Sequence, residues 1–181
     1  MKKVYVVLSK TGTWLSYLLQ MYTKEPVPHC SFSLDKELYH MYSFGRRKPY
    51  DTFNVGFVHE RPDKNVFGRF RNIRCEIYEV EVTNEQYRIM WNTTKSFWKN
   101  KESYKYNTIG IVLALFRFYP EIPDSYYCTQ FVAYVLQKAG VAFTDKNYLE
   151  TRSEDFRNSP LLHRIYSGNL QEYWAQVKRP E

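Results

Sequence analysis

Cysteine is scarce in this 181-residue chain, which carries only Cys30, Cys75 and Cys128. An odd, sparse count excludes a disulfide scaffold and makes a reducing compartment the expectation. No Cys-x-x-Cys or His-x-x-x-His spacing occurs, and His29 and Cys30, adjacent on a strand, should point to opposite faces, so no metal site is expected. Glycine is also sparse, and Gly45, Gly56 and Gly68 stand isolated, which excludes a glycine-rich phosphate loop; no cofactor is expected. Long hydrophobic runs are missing. The apolar run behind Met1-Lys2-Lys3 stops at Leu8, short of the roughly 7–15 residues of a secretory core segment. The longest run elsewhere, Ile109 to Phe116, falls far below the roughly 20 residues of a spanning helix. These absences lead to the expectation of a soluble, cytoplasmic protein without a membrane span.

What is present is aromatic and basic. Seventeen Tyr, 12 Phe and 4 Trp argue against disorder. With no repeat, low-complexity tract or Pro/Gly/Ser linker, residues 1–181 are expected to form one domain. The net charge of +7 favours anionic partners without naming one. Two basic clusters, Gly45-Arg46-Arg47-Lys48 and Arg69-Phe70-Arg71-Asn72-Ile73-Arg74, lie near aromatics. They read as solvated loops in preference to a nucleic-acid surface.

Periodicity supplies the elements. Val4–Leu8 reads as a buried strand, and Thr11 to Tyr22 as a helix ended by Pro26 and Pro28. Residues 29–44 read as a hairpin turning at Asp35-Lys36, with Cys30, Phe32 and Leu34 alternating against His29, Ser31 and Ser33. Residues 45–74 read as loop, and Cys75–Val82 as a strand. Thr83 to Gln86 fits a capping box opening a helix, Asn107–Phe118 a shorter apolar helix, Tyr127–Ala139 a helix closed by Gly140, and 161–167 a last strand. Strands without regular βαβ crossovers make the fold class α+β.

Chemistry centres on Cys128. It shares a face with Phe131, Val132, Val135 and Leu136, in the first turn of its helix. A thiol there feels the positive end of the helix dipole, which favours the nucleophilic thiolate, and the N–H groups of that turn can stabilise an oxyanion. The plain alternative is one more small core residue. A nucleophilic thiol needs a base. His29 opens a strand whose polar face also carries Ser31 and Ser33, so its imidazole projects away from the apolar layer. His40 lies on the return strand, and His59 and His163 have no pattern around them.

Cys128-Thr129-Gln130-Phe131-Val132, with Val135-Leu136 and Ala139-Gly140-Val141, resembles the nucleophile helix of the NlpC/P60 superfamily. Here His29 precedes Cys128, which is similar to the circularly permuted branch, and His29-Cys30-Ser31-Phe32-Ser33-Leu34 resembles that branch's His-opened strand. Met41 to Arg47, with Gly56-Phe57-Val58-x-Glu60, also resembles uncharacterised bacterial members. The resemblance implies a papain-like fold, an antiparallel sheet packed against the nucleophile-bearing helix. It implies a cysteine peptidase, amidase or acyltransferase that forms a thioacyl intermediate on Cys128 with His29 as base, its partner a peptide, amide or acyl substrate. It further implies a third polar group from an adjacent strand, orienting the His. A two-residue turn at Asp35-Lys36 pairs His29 with Tyr42 and brings His40 diagonally near it; a three-residue turn pairs His29 with Ser43. His40 is preferred, with Ser43 and the loop-borne Glu60 as alternatives. The rival reading is a non-catalytic module of the same fold whose basic, aromatic loops hold an anionic ligand.

Overall fold

The computed structural model describes residues 1–10, 27–48, 51–70, 72–114 and 116–178, with backbone alone at 52 and 53. The helix expected over Thr11 to Tyr22 lies outside the described residues. Eight strands and six helices occur among those described: β1 (Lys2–Lys10), β2 (His29–Ser33), β3 (Met41–Lys48), β4 (Asp51–Glu60), α1 (Asn65–Arg69), β5 (Arg74–Val82), α2 (Asn84–Lys99), β6 (Lys105–Tyr106), α3 (Thr108–Ala114), β7 (Ser125–Tyr126), α4 (Cys128–Lys138), α5 (Ser153–Asn158), β8 (His163–Asn169) and α6 (Leu170–Val177). Six strands form one sheet in the order β4-β3-β2-β1-β5-β8, with every neighbouring pair antiparallel. The class is α+β.

β1 is a central strand, which explains its continuous apolar run: strands buried on both faces do not alternate. Val4, Val6 and Leu8 face one core, with Phe32, Tyr78, Val80, Val82 and the apolar side of α4. Tyr5 and Val7 face a second, smaller core with Cys75, Ile77, Phe67, Leu170 and Tyr173. Helices therefore cover both faces of the sheet: α2 and α4 on the first, α1 and α6 on the second.

Two local signals position the larger core. Thr83 Oγ1 accepts from the Gln86 N–H at 3.1 Å, and the Gln86 side chain accepts from the Thr83 N–H at 2.9 Å, the reciprocal capping box that starts α2. α2 then lays Met90, Thr94 and Phe97 on the sheet, while Trp91 and Trp98 stay partly in solvent. At the end of α4, Gly140 adopts φ +76°, and the Gly140 and Val141 N–H groups bond back to Gln137 and Leu136 at 2.9 and 3.0 Å. That is the left-handed cap for which glycine is the cheapest residue. Phe131, projecting from α4, meets Phe44, Phe57 and Phe97 at centroid separations of 5.6, 5.3 and 5.2 Å. This aromatic cluster docks the first turns of α4 against β3 and β4.

Two expectations are corrected. Residues 45–74 are not loop: they hold the second half of β3, all of β4, the short α1 and the start of β5. The β2–β3 connection is also wider than a two- or three-residue turn. Asp35 accepts from the Tyr39 and His40 N–H groups at 2.7 and 3.0 Å, Leu38 takes φ +59°, and the pairing resumes with Phe32 opposite Tyr42. Continued along the strands, that register sets His29 opposite Gly45 instead of Tyr42 or Ser43.

Candidate active site

Cys128 is the first residue of α4. Tyr127 precedes it in an extended conformation, accepts the first helical bond from the Phe131 N–H at 3.0 Å, and donates its own N–H to Gln130 Oε1 at 3.3 Å. The N–H groups of Cys128 and Thr129 head the helix, where no carbonyl lies one turn behind to accept them. The same Gln130 oxygen accepts from Asn107 Nδ2 at 3.2 Å, and the Asn107 N–H donates to the Tyr126 carbonyl at 3.0 Å. The entry to α4 is thus clamped from the β6–α3 junction. Tyr106 is packed close to Cys128 and Tyr127; burial, with their charges, holds its phenol well above the ordinary range, so it remains an O–H donor.

The Cys128 thiol lies against the start of β2, with Sγ 3.8 Å from the carbonyl oxygen of Pro28, the residue before His29, and Cys128 is among the groups that raise the His29 imidazole. Pro28 imposes extended backbone on the residue before it and fixes where β2 begins. His29 is nearly enclosed, its side chain 14% exposed. Its Nε2 stands 2.9 Å from Glu60 Oε1, and Ser31 Oγ donates to Glu60 Oε2 at 2.6 Å. Both carboxylate oxygens are therefore engaged, and with Nε2 committed to Glu60 the other ring nitrogen, Nδ1, is left for the thiol. Burial by itself presses the His29 pKa down. The Glu60 charge and the hydrogen bonds to Cys128 and Glu60 outweigh it, and the imidazole is raised to about 10. At neutral pH His29 is an imidazolium held by the Glu60 carboxylate.

Glu60 reaches this position from β4, two strands away from β2, because β3 leaves room between them. A Cβ on Gly45 would stand 3.3 Å from His29 Cε1 and 3.7 Å from Glu60 Oε1. Gly45 is thus the bare floor over which imidazole and carboxylate meet. The neighbouring small residue on that strand, Ser43, is buried and donates to the Cys30 carbonyl at 2.6 Å, holding β3 to β2.

Of the expected site residues, Cys128, His29 and Glu60 come together. His40 does not. It sits in the wide turn beyond the far end of β2, half-exposed, with Nε2 3.9 Å from Asp35 and its ring edge-on to Trp91 at 5.8 Å. The place beside His29 expected of His40 is taken by Glu60, because the Asp35-capped turn carries His40 away from it. His59, adjacent to Glu60, faces the other way and binds the Tyr39 carbonyl at 2.7 Å. Cys30 and Cys75 are buried in the two cores with free thiols. The contributions of Ser31 and Gly45 were missed in the sequence. Ser31 sharing the polar face of His29 was the available signal; that for Gly45 depended on the strand register.

In the basic clusters, Arg47 is bound to Glu102 at 2.8 Å and to the Lys101 carbonyl at 2.7 Å, so it serves β3 as a structural tie. Among the described residues no three His, Cys, Asp or Glu side chains group as a metal site requires, and no helix is long and apolar enough to cross a membrane. The chain matches no protein-family model and no curated protein sequence.

Proposed function

We propose that this chain is a cysteine hydrolase or acyltransferase with a papain-like fold of the circularly permuted NlpC/P60 type, acting on an amide or ester. One observation carries the reading: a thiol at the N-terminal turn of a buried helix lies against an imidazolium that is itself held by a hydrogen-bonded carboxylate. Nucleophile, base and orienting group follow one another in space as such catalysis requires.

In this mechanism Cys128 Sγ attacks the carbonyl carbon as thiolate. The developing oxyanion is met by the N–H groups heading α4. His29 gives its proton to the leaving amine or alcohol as the tetrahedral intermediate collapses, leaving a thioacyl enzyme and a neutral imidazole. That imidazole then takes a proton from water, or from an acceptor nucleophile, as it attacks the thioester, and Cys128 is regenerated. Glu60 keeps the ring oriented and the imidazolium favoured throughout, and Ser31 fixes the carboxylate.

Iodoacetamide labelling with peptide mapping tests the reading. Cys128 is expected to label faster than Cys30 and Cys75, at a rate nearly flat between pH 6 and 8, and His29→Ala is expected to slow it at least about tenfold at neutral pH. A Cys128 rate that follows an ordinary thiol, with midpoint near roughly 8.5 and no response to His29→Ala, would refute the pair and favour the non-catalytic binding module.

A further inference from the structure

We propose that Asn107 is a positioning residue for acyl transfer at Cys128: it fixes the backbone ahead of the nucleophile and so aims the Cys128 N–H at the developing oxyanion. The inference rests on the chemistry proposed above and assigns a residue which that chemistry does not otherwise use.

β6 and β7 pair in parallel with Tyr106 opposite Tyr126, which brings Asn107 alongside the peptide joining Tyr126 to Tyr127. Asn107 is buried, and its backbone N–H donates to the Tyr126 carbonyl at 3.0 Å. Its Nδ2 donates to Gln130 Oε1 at 3.2 Å, and that oxygen accepts the Tyr127 N–H at 3.3 Å. The Tyr126 carbonyl and the Tyr127 N–H belong to one planar peptide unit. Asn107 therefore holds that unit at both ends, one directly and the other through Gln130.

The next unit is held from the helix side. The Tyr127 carbonyl accepts from the Phe131 N–H at 3.0 Å, so it points up the helix. In a trans peptide the Cys128 N–H then points the opposite way, out of the helix end. Only the φ and ψ of Tyr127, −105° and 172°, join the two units, and both lie in the extended well. A turn of either unit would swing the Cys128 N–H away from a carbonyl under attack by Sγ.

Asn107 itself has one orientation. Its Oδ1 accepts the Gly110 N–H at 2.7 Å and its carbonyl the Ile111 N–H at 3.2 Å, which makes it the N-cap of α3. A Cβ on Gly110 would fall on the carboxamide, 2.5 Å from Oδ1 and 2.6 Å from Cγ. With its oxygen tied to Gly110, the amide must turn its nitrogen to Gln130. A donor fixed in advance by such a buried chain needs no reorganisation as charge develops, which is the condition for oxyanion stabilisation.

Two rates at Cys128 of the full chain test the inference. p-Nitrophenyl acetate acylates a thiolate through an oxyanion: sulfur bonds to the acetyl carbon, the carbon–oxygen bond breaks, and its electron pair leaves with p-nitrophenolate. Iodoacetamide alkylates the same thiolate with loss of iodide and no oxyanion. Asn107→Ser keeps a capping hydroxyl for α3 but is too short to reach Gln130. It should lower acylation at least about tenfold while alkylation stays within about twofold, with unchanged circular dichroism. Gln130→Leu should do the same, and the two substitutions together should do no more than either alone. Gln130→Glu, whose carboxylate still accepts from Asn107 and Tyr127, should restore the ratio of the two rates lost in Gln130→Leu to within about threefold of the unaltered chain. Acylation undiminished in Asn107→Ser and Gln130→Leu, or both rates falling together, would overturn the assignment of Asn107 while leaving Cys128 a nucleophile. An unaltered chain that takes no acetyl group on Cys128, read by peptide mapping, would instead overturn the proposed function and this inference with it.

Discussion

Replacing Glu60 by Gln removes one charge from the candidate site while keeping an oxygen where His29 Nε2 needs one. Nε2 and Oε1 are 2.9 Å apart, which puts the centres of the two delocalised charges near 4 Å. At the effective dielectric of about 20 that suits protein sites, that separation is worth about 4 kcal/mol, or about 3 pH units in favour of the imidazolium. The elevation of His29 from an ordinary 6.5 to about 10 against its own burial is of this size. In Glu60→Gln the imidazole should therefore titrate near or below about 7, because burial is no longer opposed by a carboxylate. Following the His29 ring protons by NMR reads the change directly. The unaltered protein should stay protonated past pH 9, and the variant should lose the proton at least two units earlier. Cys128 alkylation should change in parallel, from nearly pH-independent to rising across neutrality. A variant midpoint within about half a unit of the unaltered protein would refute the assignment of Glu60 as the group that holds the imidazolium.

Two further outcomes follow from the same geometry. Gly45→Ala places a methyl 3.3 Å from His29 Cε1 and 3.7 Å from Glu60 Oε1. It should cost about 1–3 kcal/mol in urea unfolding and lower the His29 pKa by loosening its bond to Glu60; an unchanged NMR titration would show that the floor can yield. In a Cys128→Ala background, where thiol titration no longer enters, His29 binds its proton more tightly folded than unfolded. The stability it contributes is then complete below about pH 6.5 and is lost as pH rises toward the folded-state value, by up to about 1.4 kcal/mol per pH unit. Urea midpoints between pH 6 and 9 should fall in that background and flatten when Glu60→Gln is added; a slope that Glu60→Gln leaves intact would argue for another group.

What could be read in the sequence was what local physics determines. β1 and β5 announced themselves by apolar runs and alternation, α2 by its Thr83–Gln86 box, and α4 by an apolar stripe ending at Gly140. Cys128 and His29 followed from those elements, since a helix start and a strand face are local properties. The third group was not local. β4 reads Asp-Thr-Phe-Asn-Val-Gly-Phe-Val-His-Glu and alternates at Phe53, Val55 and Phe57, but Pro49, Gly56, Pro62 and Gly68, scattered there among charges, made the stretch that carries Glu60 look like loop. The choice between His40 and Glu60 turned on the register between β2 and β3. Asp35 decides that register by capping the backbone of Tyr39 and His40, and no periodicity encodes such a cap. α3 was legible as a short apolar helix, but its Ile109 and Val112 are exposed, since a hydrophobic pattern says nothing of which side will find a partner.

The wide spacing of the three groups along the chain has a kinetic meaning. The Pro28–His29 turn meets Cys128 across a sequence separation of about one hundred residues, and β1 waits for β5, more than sixty residues downstream, to cover its second edge. Contacts of such long range form late and slowly. Cys30 and Cys75 precede Cys128 along the chain, and only the folded chain brings the Cys128 turn to the start of β2 and Glu60 to His29. Reactivity at Cys128 would switch on only when both ends of that hundred-residue loop have met, which makes its labelling rate a clock for the last stage of folding.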